Sequence, residues 1–335
     1  MTENTSRRPM RVGIACNIKT NRDSDAQAEF DEPEAVAGLE AALRAGGFET
    51  VILEAAEGFP RKLEAERPDI VFNIAEGMYG RGREAQIPAI LDYYGIPYTG
   101  SDVAALSIAL DKALTKRVAE SLGLLTPPYA VIKRGGAFPG GLPFPVLIKP
   151  NAEGSSKGIS DVSVADGPEE LRGLLARAAA DYGGDLLAEQ YIDGREFTVG
   201  IIGNGPDARV FEPMEVIFRK LRGPHKVYSY EVKRNFREYI SYQSPPELPG
   251  DLTTRMKRGA LAVYEALGCL DFARFDFRLS VDGAAYFLEA NPLPGLDPDY
   301  SDFPIMAGLN GMDYGSLVLS VLNAALKRYG RTALP

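Results

Sequence analysis

Apolar residues in this chain fall alternately into short runs and helical stripes. Arg11–Ile18 reads as a strand, and the stripe Val36, Leu39, Ala42 and Leu43 reads as one face of a helix. Asp31-Glu-Pro-Glu34 supplies a capping box with proline early in that helix, and Gly46-Gly47 ends it. Phe48–Glu54 is then a strand, Arg61–Ala65 helical, and Ile70–Ile74 another strand. This βαβαβ alternation predicts a small parallel-sheet domain over residues 10–103. One helix is expected from Val103 to Gly123. Strands at Tyr129–Lys133, Phe144–Lys149, Asp161–Val164 and Leu186–Gln190, with a helix at Pro168–Tyr182, make an α+β module. Strands at Glu196–Ile202 and Arg209–Val216, a polar loop near 222–244 and a helix at Leu252–Leu267 follow. A hairpin and a helix at Tyr314–Arg328 close the chain. The fold class is α/β and α+β, in domains spanning 1–104, 105–190 and 191–335.

The hairpin carries the strongest chemical signal. Leu270–Leu279 and Ala285–Asn291 flank Asp282-Gly283, which favours a two-residue type I′ turn. Closing on that turn sets Asp276 against Glu289 and Arg274 against Asn291. Side chains two apart share a face, so these four form one cluster, while Phe275, Phe277, Leu288 and Ala290 face the core. Opposed carboxylates repel unless a cation lies between them, and two carboxylates with an amide oxygen suit Mg²⁺. A half-solvated hairpin with one ion pair, Arg274–Asp276 or Arg274–Glu289, is the plainer alternative.

Composition narrows the field. The chain has 335 residues and a net charge of −9, which speaks against a nucleic-acid or anionic-membrane surface. No apolar run is long enough to span a bilayer, and the N-terminus carries no export signal, so a cytoplasmic location is expected. Cys16 and Cys269 read as buried thiols, and the single His225 excludes the usual zinc spacings.

Between two strands lies KPNAEGSSKGIS, from Lys149 to Ser160. Its glycines permit a tight backbone, and Ser155 and Ser156 offer donors to phosphate oxygens, although a simple turn has the same composition. Lys149 before it is a point charge suited to a phosphate. Downstream, Glu189–Ile192 could meet an adenine edge and Glu196 could take ribose hydroxyls.

These segments, with GIPYTGSD, LDKALTKRVAESLGL, YEVK and GCLDFARFDFRLSVDGAAYFLEANPLPG, resemble the D-alanine–D-alanine ligase branch of the ATP-grasp superfamily. The resemblance covers nearly all of the chain from residue 69. It implies an ATP-grasp fold with an N-terminal parallel-sheet domain. It also implies an ATP-dependent carboxylate–amine ligase that joins two small amino-acid-like substrates through an acyl phosphate. Carried onto this sequence, it puts Lys112, Lys149 and Lys233 on phosphates, Glu189 and Ile192 on adenine, and Glu196 on ribose. Asp276, Glu289 and Asn291 would bind two Mg²⁺ or Mn²⁺ ions. Arg274 and the Gly295 amide would hold the tetrahedral oxyanion, with Ser155 in the catalytic set. The segment near 222–244 is the expected lid, and the family implies a homodimer.

The amino-acid pockets depart from the pattern. A Gly-Gly-x-Ser-x-Glu turn is replaced by ACNIKTNRDSDAQAEFD, where Glu29 either meets a substrate ammonium or is a plain surface carboxylate. A histidine position becomes Glu76, with Arg81 and Arg83 after it. A tyrosine becomes Arg234, and the carboxylate clamp reduces to Ser301 among Asp297, Asp299 and Asp302. Altered specificity is therefore expected. An authentic D-alanine–D-alanine ligase, a ligase for a larger or basic acceptor, and a non-catalytic ATP-binding sensor are the alternatives.

Overall fold

The structure, a computed structural model, describes residues 8–21, 27, 29–153, 163–220, 223–229, 232–233 and 235–331. Strands β1 (Arg11–Cys16), β2 (Glu49–Glu54) and β3 (Ile70–Asn73) form the expected parallel sheet in the order β2-β1-β3. The helix Pro33–Ala45 follows β1, with Pro33 at its first turn and Gly46 at its end. The predicted capping box does not form. Glu32 is the N-cap without a side-chain bond, and its carboxylate instead meets Lys19 at 3.1 Å. The sequence reading missed a helix at Gln86–Tyr94, which has no side-chain cap to announce it. Val12, Ile14, Leu39, Ile70 and Phe72 are buried in one core with Val318, Val321 and Leu322 of the terminal helix Tyr314–Arg328. The end of the chain thus closes the core begun by its first strand.

The helix expected over Val103–Gly123 is two helices, Val103–Leu110 and Lys112–Ser121. They break at Asp111, whose carboxylate caps Leu114 N at 3.1 Å and accepts Asn151 Nδ2 at 2.8 Å. A second, antiparallel sheet runs β4-β7-β5-β6, made of β4 (Tyr129–Ile132), β5 (Val146–Pro150), β6 (Val164–Ala165) and β7 (Leu186–Gln190). The third sheet starts with β8 (Gly194–Ile202). The strand expected over Arg209–Val216 is divided into β9 (Arg209–Val210) and β10 (Met214–Phe218). The region near 222–244 is more than a loop, since it holds the short helix Phe236–Tyr239 and strand β11 (Ile240–Gln243). With β12 (Phe272–Ser280) and β13 (Ala285–Asn291) the order is β11-β10-β8-β12-β13, and β9 flanks β8. The helix Gly250–Leu267 buries Met256, Val263 and Leu267 against Phe197, Val199, Phe275 and Phe277. A further unexpected helix, Asp302–Leu309, begins directly after Ser301.

The hairpin turn is not the predicted type I′ pair. Ser280 N bonds Ala284 O at 2.9 Å, and Gly283 adopts φ +87°, closing a three-residue loop. That shifts the register by one near the turn, so Phe277 pairs with Phe287. A bulge at Leu288 then restores it, and Asp276 faces Glu289 and Arg274 faces Asn291 as expected. Two irregularities offset each other. Their cost to the reading is Leu288, which lines a cleft beside Glu289 while Phe287 takes the core position.

Candidate active site

A cleft of about 960 Å³, open to solvent, lies between the second and third sheets. On one wall, Lys149 from β5 lies 2.6 Å from Glu189 Oε1 on β7. Fully buried Lys116 approaches the other carboxylate oxygen at 2.9 Å, a Coulombic contact rather than an aimed hydrogen bond. Burial alone would raise the Glu189 pKa, but the two lysines outweigh it and hold the group at about 2. At the end of β7, the amides of Gln190 and Tyr191 are taken by the carbonyls of Pro128 and Pro145 at 2.8 Å. Ile192 lines the cleft next to them.

The opposite wall is the site face of β8 and β12, where alternation lines up Arg274, Asp276 and Arg278. Arg278 was not expected. It lies opposite Glu196 in the β8–β12 register and is only 6% exposed. Its guanidinium donates to Glu196 at 2.6 Å, Ile192 O at 2.8 Å, Tyr191 Oη at 2.9 Å and Lys226 O at 2.6 Å. The parity of 274, 276 and 278 was the available signal. Burial pushes Glu196 up to about 7 against the pull of Arg278, with Asp276 and Asp302 adding to the rise. The roof is the segment from Lys226 to Tyr228, whose neighbour His225 bonds Asp166 at 2.9 Å across the cleft.

The second cleft, about 1500 Å³, brings Glu29, Glu76, Gly295 and Ser301 onto one surface. It shares Lys233, Arg274 and Asp302 with the first cleft. Glu29 is a built element rather than a surface carboxylate. Arg83, a residue the sequence gave no role, donates to both its oxygens at 2.8 and 2.7 Å and to Ala152 O at 2.9 Å. Ser301 Oγ accepts Asp297 N at 3.2 Å and would lie 2.7 Å from a Cβ at position 295, so a larger residue there would push the hydroxyl aside. The crowding of three carboxylates around Ser301 does not occur. Asp299 is exposed, and buried Asp302 accepts Tyr228 Oη at 3.0 Å and Tyr242 Oη at 2.8 Å and faces Arg274 at 3.7 Å. Acidity instead collects on the N-terminal wall. Burial lifts Asp31 to about 8 and Glu84 to about 7, and burial with Glu29 and Glu84 nearby raises Glu76 well above its ordinary value.

Lys112 bonds Glu153 O and lies 3.5 Å from Glu289. Ser155, Ser156 and Arg234 lie outside the described residues.

Residues 118–323 match the family described as D-ala D-ala ligase C-terminus. A D-alanine–D-alanine ligase of Cupriavidus metallidurans is 36% identical, the match covering 86% of this chain and 85% of that protein. The uncharacterized protein y4sG of Sinorhizobium fredii is 30% identical over 96% of this chain and 98% of its own length. This chain belongs to the D-alanine–D-alanine ligase family. As a member it is an ATP-dependent ligase. A D-alanine–D-alanine ligase of Bacillus anthracis, solved with ATP, superposes with a TM-score of 0.73 at 23% identity, covering 96% of this chain and 99% of that one. The fold is therefore that of the family, as expected. No single helix among the described residues is long and apolar enough to cross a membrane.

The donors on the hairpin have the chemistry that a divalent cation requires. Among the described residues no three His, Cys, Asp or Glu side chains gather as a metal site, so the donor set is two carboxylates and an amide. Burial would raise Glu289, yet Lys112, Lys149 and Arg274 hold it anionic at about 2. Asp276 accepts Arg274 through both oxygens at 3.0 Å and Asn291 Nδ2 at 3.1 Å. Hard anionic oxygens ringed by cationic side chains fit a site in which Mg²⁺ and phosphate charge arrive together.

Proposed function

We propose that this ligase joins two amino acids through an acyl phosphate, with a preference moved away from a pair of D-alanines. The observation that carries the reading is the shared wall of the two clefts. Lys233 and Arg274 line both, so a γ-phosphate in one and a carboxylate in the other meet at the same cations. Glu189 and Ile192 would hold the adenine, Glu196 the ribose, and Lys112, Lys149 and Lys233 the phosphates. Asp276, Glu289 and Asn291 would hold the divalent cations, Mg²⁺ or Mn²⁺, which neutralise phosphate charge when bound.

A carboxylate is a poor electrophile. Its oxygen first attacks the γ-phosphorus, the bond to the β–γ bridging oxygen breaks, and ADP leaves with that electron pair. The second amino acid's amine then adds to the acyl carbon. Arg274 and the Gly295 amide are suited to the oxyanion that forms. Collapse expels phosphate, and the amine loses its proton as the amide forms. The roof segment and Lys233 would keep water from the acyl phosphate.

The test is product analysis with ATP, Mg²⁺ and a panel of amino acids. ADP and phosphate are expected, with turnover falling at least about 10³-fold in Asp276→Ala or Glu289→Ala. AMP with pyrophosphate, or near wild-type turnover of Glu289→Ala, would remove the hairpin from the chemistry. The relatives' names favour D-alanine in both subsites. A clear win for D-alanine over every other amino acid would establish that reading instead.

A further inference from the structure

The N-terminal wall of the second cleft gathers more carboxyl groups than the single ammonium of an ordinary amino acid can pair. Its cations are already engaged, Lys19 with Glu32 at 3.1 Å and Arg83 with Glu29 at 2.7 Å. Glu84 lines the cleft at 8% exposure. Among the described residues its carboxylate receives no hydrogen bond, and neither does that of Glu76 beside it. Asp31, on the same wall, has a buried Oδ2 with no partner. A carboxyl group held in a cleft wall without a hydrogen-bond donor is costly to the fold, and natural sites keep such groups where a ligand supplies the missing partner.

An α-amino acid brings one ammonium and one carboxylate. Its carboxylate belongs at Arg274 and Lys233, on the side shared with the nucleotide cleft. Its α-ammonium brings a single positive charge to a wall where, among the described residues, Asp31, Glu76 and Glu84 form no ion pair. We propose that one of the two substrates is a diamino acid, whose side-chain ammonium is received by Glu76 and Glu84 with Asp31 beside them. This rests on the ligase reading above and names the substrate class of the same site. Three features place the second cation on this wall. The unpaired groups are clustered, they face the cleft, and the arginine nearest to them is committed to Glu29 and the Ala152 carbonyl.

The experiment compares diamino acids with uncharged partners of matched length. Phosphate release from ATP is followed with 2,4-diaminobutyrate against norvaline and ornithine against norleucine. Both enantiomers are used, alone and with D-alanine as the second amino acid. The wild-type protein is expected to favour at least one diamino acid over its match by tenfold or more in kcat/KM. In Glu76→Gln/Glu84→Gln that ratio should fall to about threefold or less, which a purely structural role would not produce. If every uncharged match equals or beats its diamino acid in the wild type, the proposal is overturned, while phosphate release with any amino acid leaves the ligase reading intact. A preference that survives the double substitution also overturns it. Absence of phosphate release with every amino acid would overturn both readings. The wild-type comparison decides the matter even if the variant fails to fold.

Discussion

Replacing Arg278 by methionine probes the nucleotide wall where most of its bonds converge. The change keeps an apolar stem and removes a guanidinium that is 6% exposed and bonded to Glu196, Tyr191 Oη and two carbonyls. Breaking a buried ion pair from one side costs about 3–5 kcal/mol, because the remaining charge is stranded. Three neutral acceptors lose a donor as well, at about 1 kcal/mol each. Those costs do not add in full. Glu196 already sits at about 7, and without Arg278 it would take up a proton at neutral pH and shed part of the penalty. The net expectation is a loss of about 3–5 kcal/mol against a total of roughly 5–15 kcal/mol, so the protein still folds at 25 °C. The wall that would meet adenine and ribose loosens, and a loss of about 2 kcal/mol in nucleotide binding would raise KM for ATP roughly 30-fold. Because Arg274 and Lys233 are untouched, kcat should move much less. Urea unfolding and steady-state kinetics with ATP as the varied substrate read both effects, and Arg278→Lys should fall between the two proteins. A stability loss under about 1 kcal/mol together with a KM for ATP within about threefold of wild type would refute the reasoning.

Other consequences follow from buried charge. Glu84 is raised from 4.5 to about 7 in the folded protein, so its contribution favours folding at low pH and is lost as pH rises from about 4.5 through 7. Glu84→Gln should therefore gain stability over wild type between pH 5 and 8, by up to about 3 kcal/mol, measured by urea unfolding across that range. Asp271 is fully buried and accepts Gly100 N at 2.8 Å, Asn204 Nδ2 at 2.7 Å and Arg328 at 2.9 Å. Asp271→Asn keeps the shape but strands Arg328, and unfolding should show a loss of about 3 kcal/mol or more. Burial pushes the Cys16 and Cys269 thiols up to about 12, so neither should react with a disulfide reagent at pH 8 until the protein is unfolded.

Local rules carried the sequence reading where a single element decides the outcome. The parallel sheet was legible because β1, β2 and β3 are short apolar runs separated by helical stripes. The helix Tyr314–Arg328 was legible to the residue. Local rules failed where tertiary contacts decide. Asp111 breaks a long apolar helix because Asn151, 40 residues away, binds its carboxylate. Asp31 and Glu34 form no capping box because the N-cap falls at Glu32, whose carboxylate meets Lys19 instead. Of the site, the face shared by Arg274, Asp276, Glu289 and Asn291 was read correctly, although through a turn and a bulge that offset each other. Arg278 was overlooked, although it continues the same alternation, because its partner Glu196 lies on a strand whose pairing the sequence does not state. Arg83 stands out in the sequence but its role does not, since Glu29 and Ala152 meet it only in three dimensions.

The account's central claim is that a carboxylate oxygen attacks phosphorus where the two clefts meet. An oxygen that forms that bond stays on phosphorus when the amine displaces phosphate. The accepted amino acid should therefore be supplied with both carboxylate oxygens as ¹⁸O, and the inorganic phosphate examined by mass spectrometry after turnover. The account predicts one ¹⁸O atom in each phosphate released. Unlabelled phosphate, or label recovered in AMP, would contradict it.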